Sequence, residues 1–356
     1  MLTILAVLLV FSVLILIHEA GHMFAAKKAG VRVEVFSLGF GKRLCGVEFG
    51  GTDYRVSLFP LGGYVKMEGE DPGEAKNSEA GLYTKSVGAR FWIMSAGAIT
   101  NYIFAFILFW VIFMVGIPTL SNEVGEVLKG YPAEKAGVQT SDVIIKIDGK
   151  NIEYWDDIVE AIKLGSEKGD KLVFDVMRGD LEVSLDITPD ISTVTNIFGQ
   201  KISRPIIGIG PRDKILSVSY NPAEAFYYGG KKLLSLTALT YKGLWLMLTG
   251  GMPLKTSVSG PIGIMYFMNQ AAKLGIVPLL IITANVSMAL AIFNLLPFPV
   301  LDGGHIVFLL AEKITGRPVS VKVQELLTNA ALVLLIAFAL FVSWQDVLKF
   351  TPLGGK

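Results

Sequence analysis

Residues 11–28 read FSVLILIHEAGHMFAAKK, and this stretch decides the fold class. From Met1 to Ala26 the one formally charged residue is Glu19. About 20 helical residues cross a hydrocarbon core, so residues 1–26 read as a transmembrane helix. A cleaved signal peptide opens with basic residues, whereas here the first lysine, Lys27, follows the apolar run, and the helix is expected to be retained. The sequence therefore places two histidines and a carboxylate inside a membrane span. Holding a charged side chain at such a position costs about 2.5–3.5 kcal/mol on insertion scales, which makes the polar group a functional candidate.

Composition agrees with a membrane protein. Of the 356 residues, 52% are hydrophobic and 18% charged, too apolar for an ordinary soluble enzyme. Mean hydropathy is +0.55, and it reflects long uncharged runs. Residues 91–117, 274–302 and 326–345 read as further spans. The fold class is a polytopic α-helical membrane protein with about four transmembrane helices and water-soluble insertions. Lys+Arg 32 against Asp+Glu 31 gives a formal charge of +1 and no basic face for nucleic acid. Cys45 is the sole cysteine, which excludes an internal disulfide. Lys27, Lys28, Arg32, Lys42 and Arg43 cluster after the first span and place the 27–90 loop in the cytoplasm. Residues 118–272 then face outward, and the 303–325 link, with Lys313, Arg317 and Lys322, returns to the cytoplasm.

The soluble parts carry their own patterns. Val143, Ile145 and Ile147 alternate with polar neighbours before Asp148-Gly149, and Trp155 to Leu164 reads as an amphipathic helix. Leu172–Val176 and Leu181–Ile187 read as a hairpin through Arg178-Gly179-Asp180. Residues 122–190 are expected to form one compact α+β domain. Residues 191–272 read as a linker and an interfacial amphipathic helix, since Lys231, Lys232 and Lys242 interrupt its leucines. In the cytoplasmic loop, Tyr54, Val56 and Leu58 alternate ahead of Phe59-Pro60-Leu61-Gly62-Gly63, so Glu48 to Met67 reads as a β-hairpin or looped sheet associated with the membrane, with an edge available near Tyr54 to Leu58.

The chemistry starts from spacing. His18 and His22 stand at i and i+4 and face the same way on a helix, so both imidazoles can reach one metal ion. Glu19 sits beside the first of them, placed to take a proton from water. Zinc suits two nitrogens plus a carboxylate, and it lowers the pKa of a bound water to roughly 7. A third ligand is sought in residues 294–305, NLLPFPVLDGGH. Asp302 and His305 are the two candidates, and an alternative use of Asp302 is to cap the following helix.

HEAGH, the soluble insert, GPIGI at 260–264 and NLLPFPVLDGGH together resemble the site-2 protease family of zinc intramembrane metalloproteases, in the RseP-like bacterial branch. The insert, GYPAEKAGVQTSDVIIKIDGKNI and onward, resembles a bacterial PDZ domain, and one copy stands where tandem copies occur in that branch. The resemblance implies that His18, His22 and Asp302 bind Zn2+, that Glu19 is the general base, and that Asn294 contacts substrate. It also implies that a hairpin near Gly50 to Met67, including Tyr54, Val56 and Leu58, pairs with an unwound substrate. The expected activity is cleavage of single-span transmembrane proteins, such as an anti-sigma factor or a signal-peptide remnant, during regulated intramembrane proteolysis. The expected setting is the bacterial inner membrane, multi-pass, with the PDZ-like domain outside and no nucleic-acid partner. The rival reading is a membrane-tethered PDZ adaptor whose histidines hold a structural metal. A transporter would show an inverted repeat, and no such repeat is visible.

Overall fold

The computed structural model describes residues 2–70, 79–166, 171–196, 198–252 and 258–350. Segments 71–78, 167–170 and 253–257, and residue 197, which fall inside the expected domain ranges, lie outside the described residues. Two compact units form. One holds the chain up to Ile112, Phe226–Lys242 and the chain from Val258; the other holds Phe113–Ala225 with a short stretch from Gly243.

The first unit opens with helix α1 (Leu2–Lys28), which ends on Lys27 and Lys28 in its last turn, where cations meet the negative end of the helix dipole. Strands β1 (Val33–Phe49) and β2 (Thr52–Met67) follow, joined at Gly50-Gly51. This ribbon is larger than a hairpin over Gly50 to Met67, because its first strand begins at Val33. It also folds on itself through repeated register shifts, which bend a strand and re-aim its edge. Ser37 pairs with Tyr64 on one side and with Arg55 on the other, while Val47 pairs with Tyr54. Tyr54 and Val56 are thus flanked on both sides, Tyr54 by Phe36 and Val47, Val56 by Leu38 and Cys45. They are interior positions and not the open edge expected from the alternation. The segment 63–67 pairs along one side only among the described residues, from Gly63 with Leu38 to Met67 with Val33. Phe40, Leu44 and Phe59 are exposed toward one end of the ribbon, and Phe49 is exposed beside the Gly50-Gly51 turn. Helix α2 (Val87–Val115) comes next.

The second unit is an α+β domain. Strand β3 (Ile117–Leu120) leads into β4 (Val124–Val127), the short helix α3 (Pro132–Lys135), β5 (Val143–Ile147), β6 (Lys150–Asn151), helix α4 (Trp155–Ser166), β7 (Leu172–Arg178) and β8 (Leu181–Ile187). The central sheet runs β6-β5-β7-β8. Its inward residues Ile144, Ile147, Leu172, Phe174, Val176 and Ile187 close on Ile158 and Ile162 of α4 in one dry core. The chain beyond Ile187 is not a linker. Strands β9 (Asp190–Thr195) and β10 (Lys201–Ile206) pair with each other, β11 (Ile209–Pro211) pairs with β4, and β12 (Ile215–Val218) pairs with β3. Ile207 also belongs to the core. The physical reason is closure: β3 and β12 lie side by side, so the domain begins and ends at one place in the chain's path.

Helix α5 (Pro222–Leu248) starts where the Asn221 side chain accepts from the backbone N–H groups of Ala223 and Glu224, with Pro222 in the first turn. Helices α6 (Pro261–Leu274), α7 (Ile276–Asn294), α8 (Asp302–Thr315) and α9 (Val321–Phe350) complete the first unit. Among the described residues, four helices are long and apolar enough to cross a membrane: α1 from Val7, α2, α7 and α9. The third span is shorter than 274–302, because Pro297 and Pro299 cannot continue a helix and α7 stops at Asn294. At about 1.5 Å per residue its 19 residues still reach roughly 28 Å. The fourth helix is longer than 326–345, its charged ends Lys322, Glu325, Asp346 and Lys349 continuing the same helix.

Candidate metal centre

Helix α1 presents His18 and His22 one turn apart, with Nε2 atoms 3.2 Å from each other. The helix behind them is α2. A Cβ at Gly97 would lie 2.2 Å from His22 Nε2 and 2.7 Å from His18 Cε1, so only glycine lets α2 form the floor of the site. Gly21 plays the reciprocal part on α1, where a Cβ would meet the Ala96 carbonyl oxygen at 2.5 Å.

Asp302 is the first residue of α8, and the cap position is Leu301. The Oδ2 atom of Asp302 lies 3.2 Å from His18 Nε2 and 3.4 Å from His22 Nε2. The loop 295–301 folds closely over the first turn of α8, since a Cβ at Gly303 would stand 2.2 Å from the Leu296 carbonyl oxygen. Proline-rich loop and paired glycines together deliver the carboxylate to the imidazole pair. His305, the other candidate, lines the same cavity but does not join the group formed by His18, His22 and Asp302. Asn294 ends α7, half-buried, and makes no hydrogen bond to the three donors among the described residues.

These donors fit a zinc ion. Asp302 Oδ2 is buried without a hydrogen-bond partner, a costly condition for a carboxylate unless a cation completes it. The three donor atoms form a triangle with edges of 3.2, 3.2 and 3.4 Å. Ligands about 2.0–2.1 Å from a tetrahedral zinc stand roughly 3.3–3.4 Å apart. Both imidazoles are also oriented for ligation. His22 Nδ1–H donates to the Ile93 carbonyl oxygen at 2.8 Å, which leaves Nε2 free of its proton. Asn101, fully buried on α2, has its Nδ2 3.4 Å from His18 Nδ1, while its Oδ1 has no hydrogen-bond partner. With the amide oxygen turned to Nδ1–H, both groups are satisfied and His18 too presents Nε2. Asn101→Leu is therefore expected to weaken zinc binding about 10- to 100-fold while Asn101→Asp, which keeps an acceptor, retains it. Chelator competition on the purified variants measures the difference.

Glu19 Oε2 accepts the Val65 backbone N–H at 3.0 Å, so the acidic side chain is tied to the open edge of the ribbon. A cavity of about 250 Å³ joins these parts, lined by His18, Glu19, His22, Asp302 and His305 with Tyr64, Val65 and Tyr83. Tyr54 lies elsewhere: its hydroxyl accepts from Lys27 Nζ at 2.8 Å, fastening the ribbon to the end of α1. Val56 and Leu58 are exposed on the ribbon and do not line this cavity. Asn101, the Ile93 carbonyl and Val65 carry no motif. The one signal that marks Asn101 in the sequence is a buried-type carboxamide within an uncharged span, an expensive placement.

Known proteins supply an independent comparison. The family model described as peptidase family M50 matches residues 6–338. A relative in Campylobacter jejuni, provisionally named a zinc metalloprotease, is 36% identical and covers 96% of this chain and 92% of its own length. Protease RseP of Yersinia pestis is 30% identical, covering 94% of this chain and 97% of its own. That alignment runs over 444 positions, more than this chain contains, so the Yersinia protein carries inserted sequence that this chain lacks. Among solved structures, the PDZ domain of the SdrC-like protein from Listeria monocytogenes is 24% identical and covers 26% of this chain and 86% of its own, with a TM-score of 0.21.

Proposed function

The chain belongs to peptidase family M50 and is a site-2 type zinc metalloprotease, and from that premise we propose that it cleaves the transmembrane segment of single-span membrane proteins. The observation that carries this reading is the depth of the donor set: two of the three ligands sit on α1, inside a helix apolar enough to span a membrane. His18, His22 and Asp302 would hold the zinc, which when bound makes water nucleophilic near neutral pH and polarises the scissile carbonyl. Glu19 accepts the proton of the attacking water and returns it to the leaving amine. Val65 N–H holds one carboxylate oxygen of Glu19 in place for that transfer.

A transmembrane helix resists cleavage while its carbonyls are bonded within it, and unpaired backbone groups are costly in lipid. The ribbon supplies a replacement partner: residues 63–67 are paired on one side among the described residues, and Tyr64, Val65 and Met67 of that segment border the cavity. An unwound substrate adds there as a further strand. Asn294, at the end of α7, contributes its amide to the same backbone. The substrate-pairing role sketched for Tyr54, Val56 and Leu58 thus moves one turn of the ribbon, to Gly63–Met67. A structural metal site in an adaptor would be closed by four protein ligands; three donors converge here among the described residues.

The insert faces the outside of the inner membrane and limits access by bulky ectodomains, so that substrates arrive already trimmed. Replacing residues 121–214 by a short turn keeps the β3–β12 pairing intact. That variant is expected to retain zinc and to cut untrimmed substrates that the full chain spares, with unchanged selectivity counting against gating. The proposed activity is tested in membranes against a panel of single-span proteins tagged at both ends. Paired fragments whose masses place the cut inside the span support it; cuts confined to soluble loops, or none, oppose it.

A further inference from the structure

We propose that Arg90 and Glu312 are a positioning pair that sets the geometry of the metal site from outside the donor set, an inference that rests on His18, His22 and Asp302 holding zinc. Arg90 stands on α2, three residues before Ile93, whose carbonyl orients His22. Glu312 stands on α8, ten residues beyond Asp302. The guanidinium grips the carboxylate at two points, Nη1 to Oε2 at 3.0 Å and Nη2 to Oε1 at 2.6 Å. Arg90 is only 5% exposed. Its Nε also donates to the Lys85 carbonyl oxygen at 3.2 Å, and its guanidinium lies 5.5 Å from the centre of the Tyr83 ring. One side chain thus ties together α2, α8 and the segment that contributes Leu82 and Tyr83 to the cavity wall.

A buried ion pair is poor evidence of a stability device, since apolar replacements of similar volume serve as well. What a two-pronged planar contact adds is a single relative geometry. That geometry matters at the other end of α8. Over ten residues the helix extends about 15 Å, so a tilt of roughly 4° at the pair displaces Asp302 by about 1 Å, against a ligand-distance tolerance of roughly 0.2 Å. His305 stands between the two, lining the metal cavity on one side and, with Phe308 and Leu309, a void of about 30 Å³ beside the pair on the other. Arg90 and Glu312 therefore act on the metal through the helices that carry Asp302 and the Ile93 carbonyl, and neither touches it.

The test uses the purified full chain in detergent as wild type, Arg90→Lys and Glu312→Gln. Zinc affinity is read by chelator competition, and the visible spectrum of the cobalt-substituted protein is read at saturation. Both substitutions are expected to weaken zinc about 10- to 100-fold and to shift the cobalt bands at full occupancy, a change in geometry that mere loss of stability does not produce. A lowered melting temperature with wild-type affinity and unshifted bands would overturn the proposal. Should Glu312→Gln fail to fold, Arg90→Lys, which keeps the charge and loses the two-pronged grip, decides alone. A wild-type protein without zinc would overturn the metal reading and this proposal with it, and that failure is visible in the wild type itself.

Discussion

Glu19→Gln is expected to fold, to bind zinc as tightly as the wild type, and to lose about 100- to 10,000-fold in cleavage rate, the usual contribution of a positioned general base. At 1.36 kcal/mol per tenfold this is about 2.7–5.4 kcal/mol of transition-state stabilisation. Fold and metal survive because the change is isosteric. The amide oxygen of glutamine can still accept the Val65 N–H that now bonds Glu19 Oε2 at 3.0 Å, and the ligands His18 and His22 keep their own partners. What disappears is a basic oxygen able to take a proton from water and give it to the departing amine. The measurement is fragment formation from a cleaved substrate, with zinc content determined on the same preparation. Turnover at the wild-type rate would remove Glu19 from the mechanism; loss of zinc together with activity would make it a ligand instead.

Asp302→Ala carries the second large effect. Its Oδ2 closes the triangle with His18 and His22 at 3.2 and 3.4 Å and has no hydrogen-bond partner. Partners that merely orient a ligand are worth roughly 10- to 100-fold in metal affinity, so removing a ligand itself is expected to exceed that range. The loss also appears in stability. A ligand present at about 100 times its dissociation constant stabilises the folded state by roughly 2.7 kcal/mol. Added zinc should therefore raise the melting temperature of the wild type and leave that of Asp302→Ala unmoved. His305→Ala is the control: His305 lines the cavity outside the donor group and is expected to keep the zinc response. An exchange of these two outcomes would transfer the ligand role to His305.

Much of this site is written in short-range spacing. An i, i+4 pair of histidines with an adjacent glutamate is visible in five residues of an uncharged helix, and the helix itself follows from composition. Choosing between Asp302 and His305 is a different problem, because it depends on where α8 begins and how the 295–301 loop folds back, facts of packing that residue chemistry alone leaves open. The parts that were not legible are long-range or backbone features. Val65 N–H, the Ile93 carbonyl and the close approach at Gly97 have no side-chain signature, and Arg90 reads in the sequence only as a charge flanking a span.

The same distinction holds for the fold. The β7–β8 hairpin and helix α4 lie in stretches with clear period-2 and period-3.6 patterns, and the structure has them at Leu172–Ile187 and Trp155–Ser166. The pairing of β3 with β12 joins Ile117 to Val218 and has no local trace. Strand β1 escapes notice for another reason: Gly39, Gly41, Lys42 and Arg43 interrupt its alternation, and its bulges put the apolar residues out of phase. Missing that strand is what makes Tyr54–Leu58 look like an edge, when 33–38 on one side and 43–49 on the other enclose it.

X-ray absorption at the zinc edge, recorded on the purified wild type and on Asp302→Ala, tests most directly whether the three donors share one ion. The predicted wild-type result is a single zinc per chain in a four-coordinate shell of nitrogen and oxygen at roughly 2.0–2.1 Å, with two imidazole signatures and no sulfur. In Asp302→Ala the metal should be absent or its shell reorganised. A wild type that retains no zinc, or a variant whose shell is indistinguishable from the wild type, would contradict it.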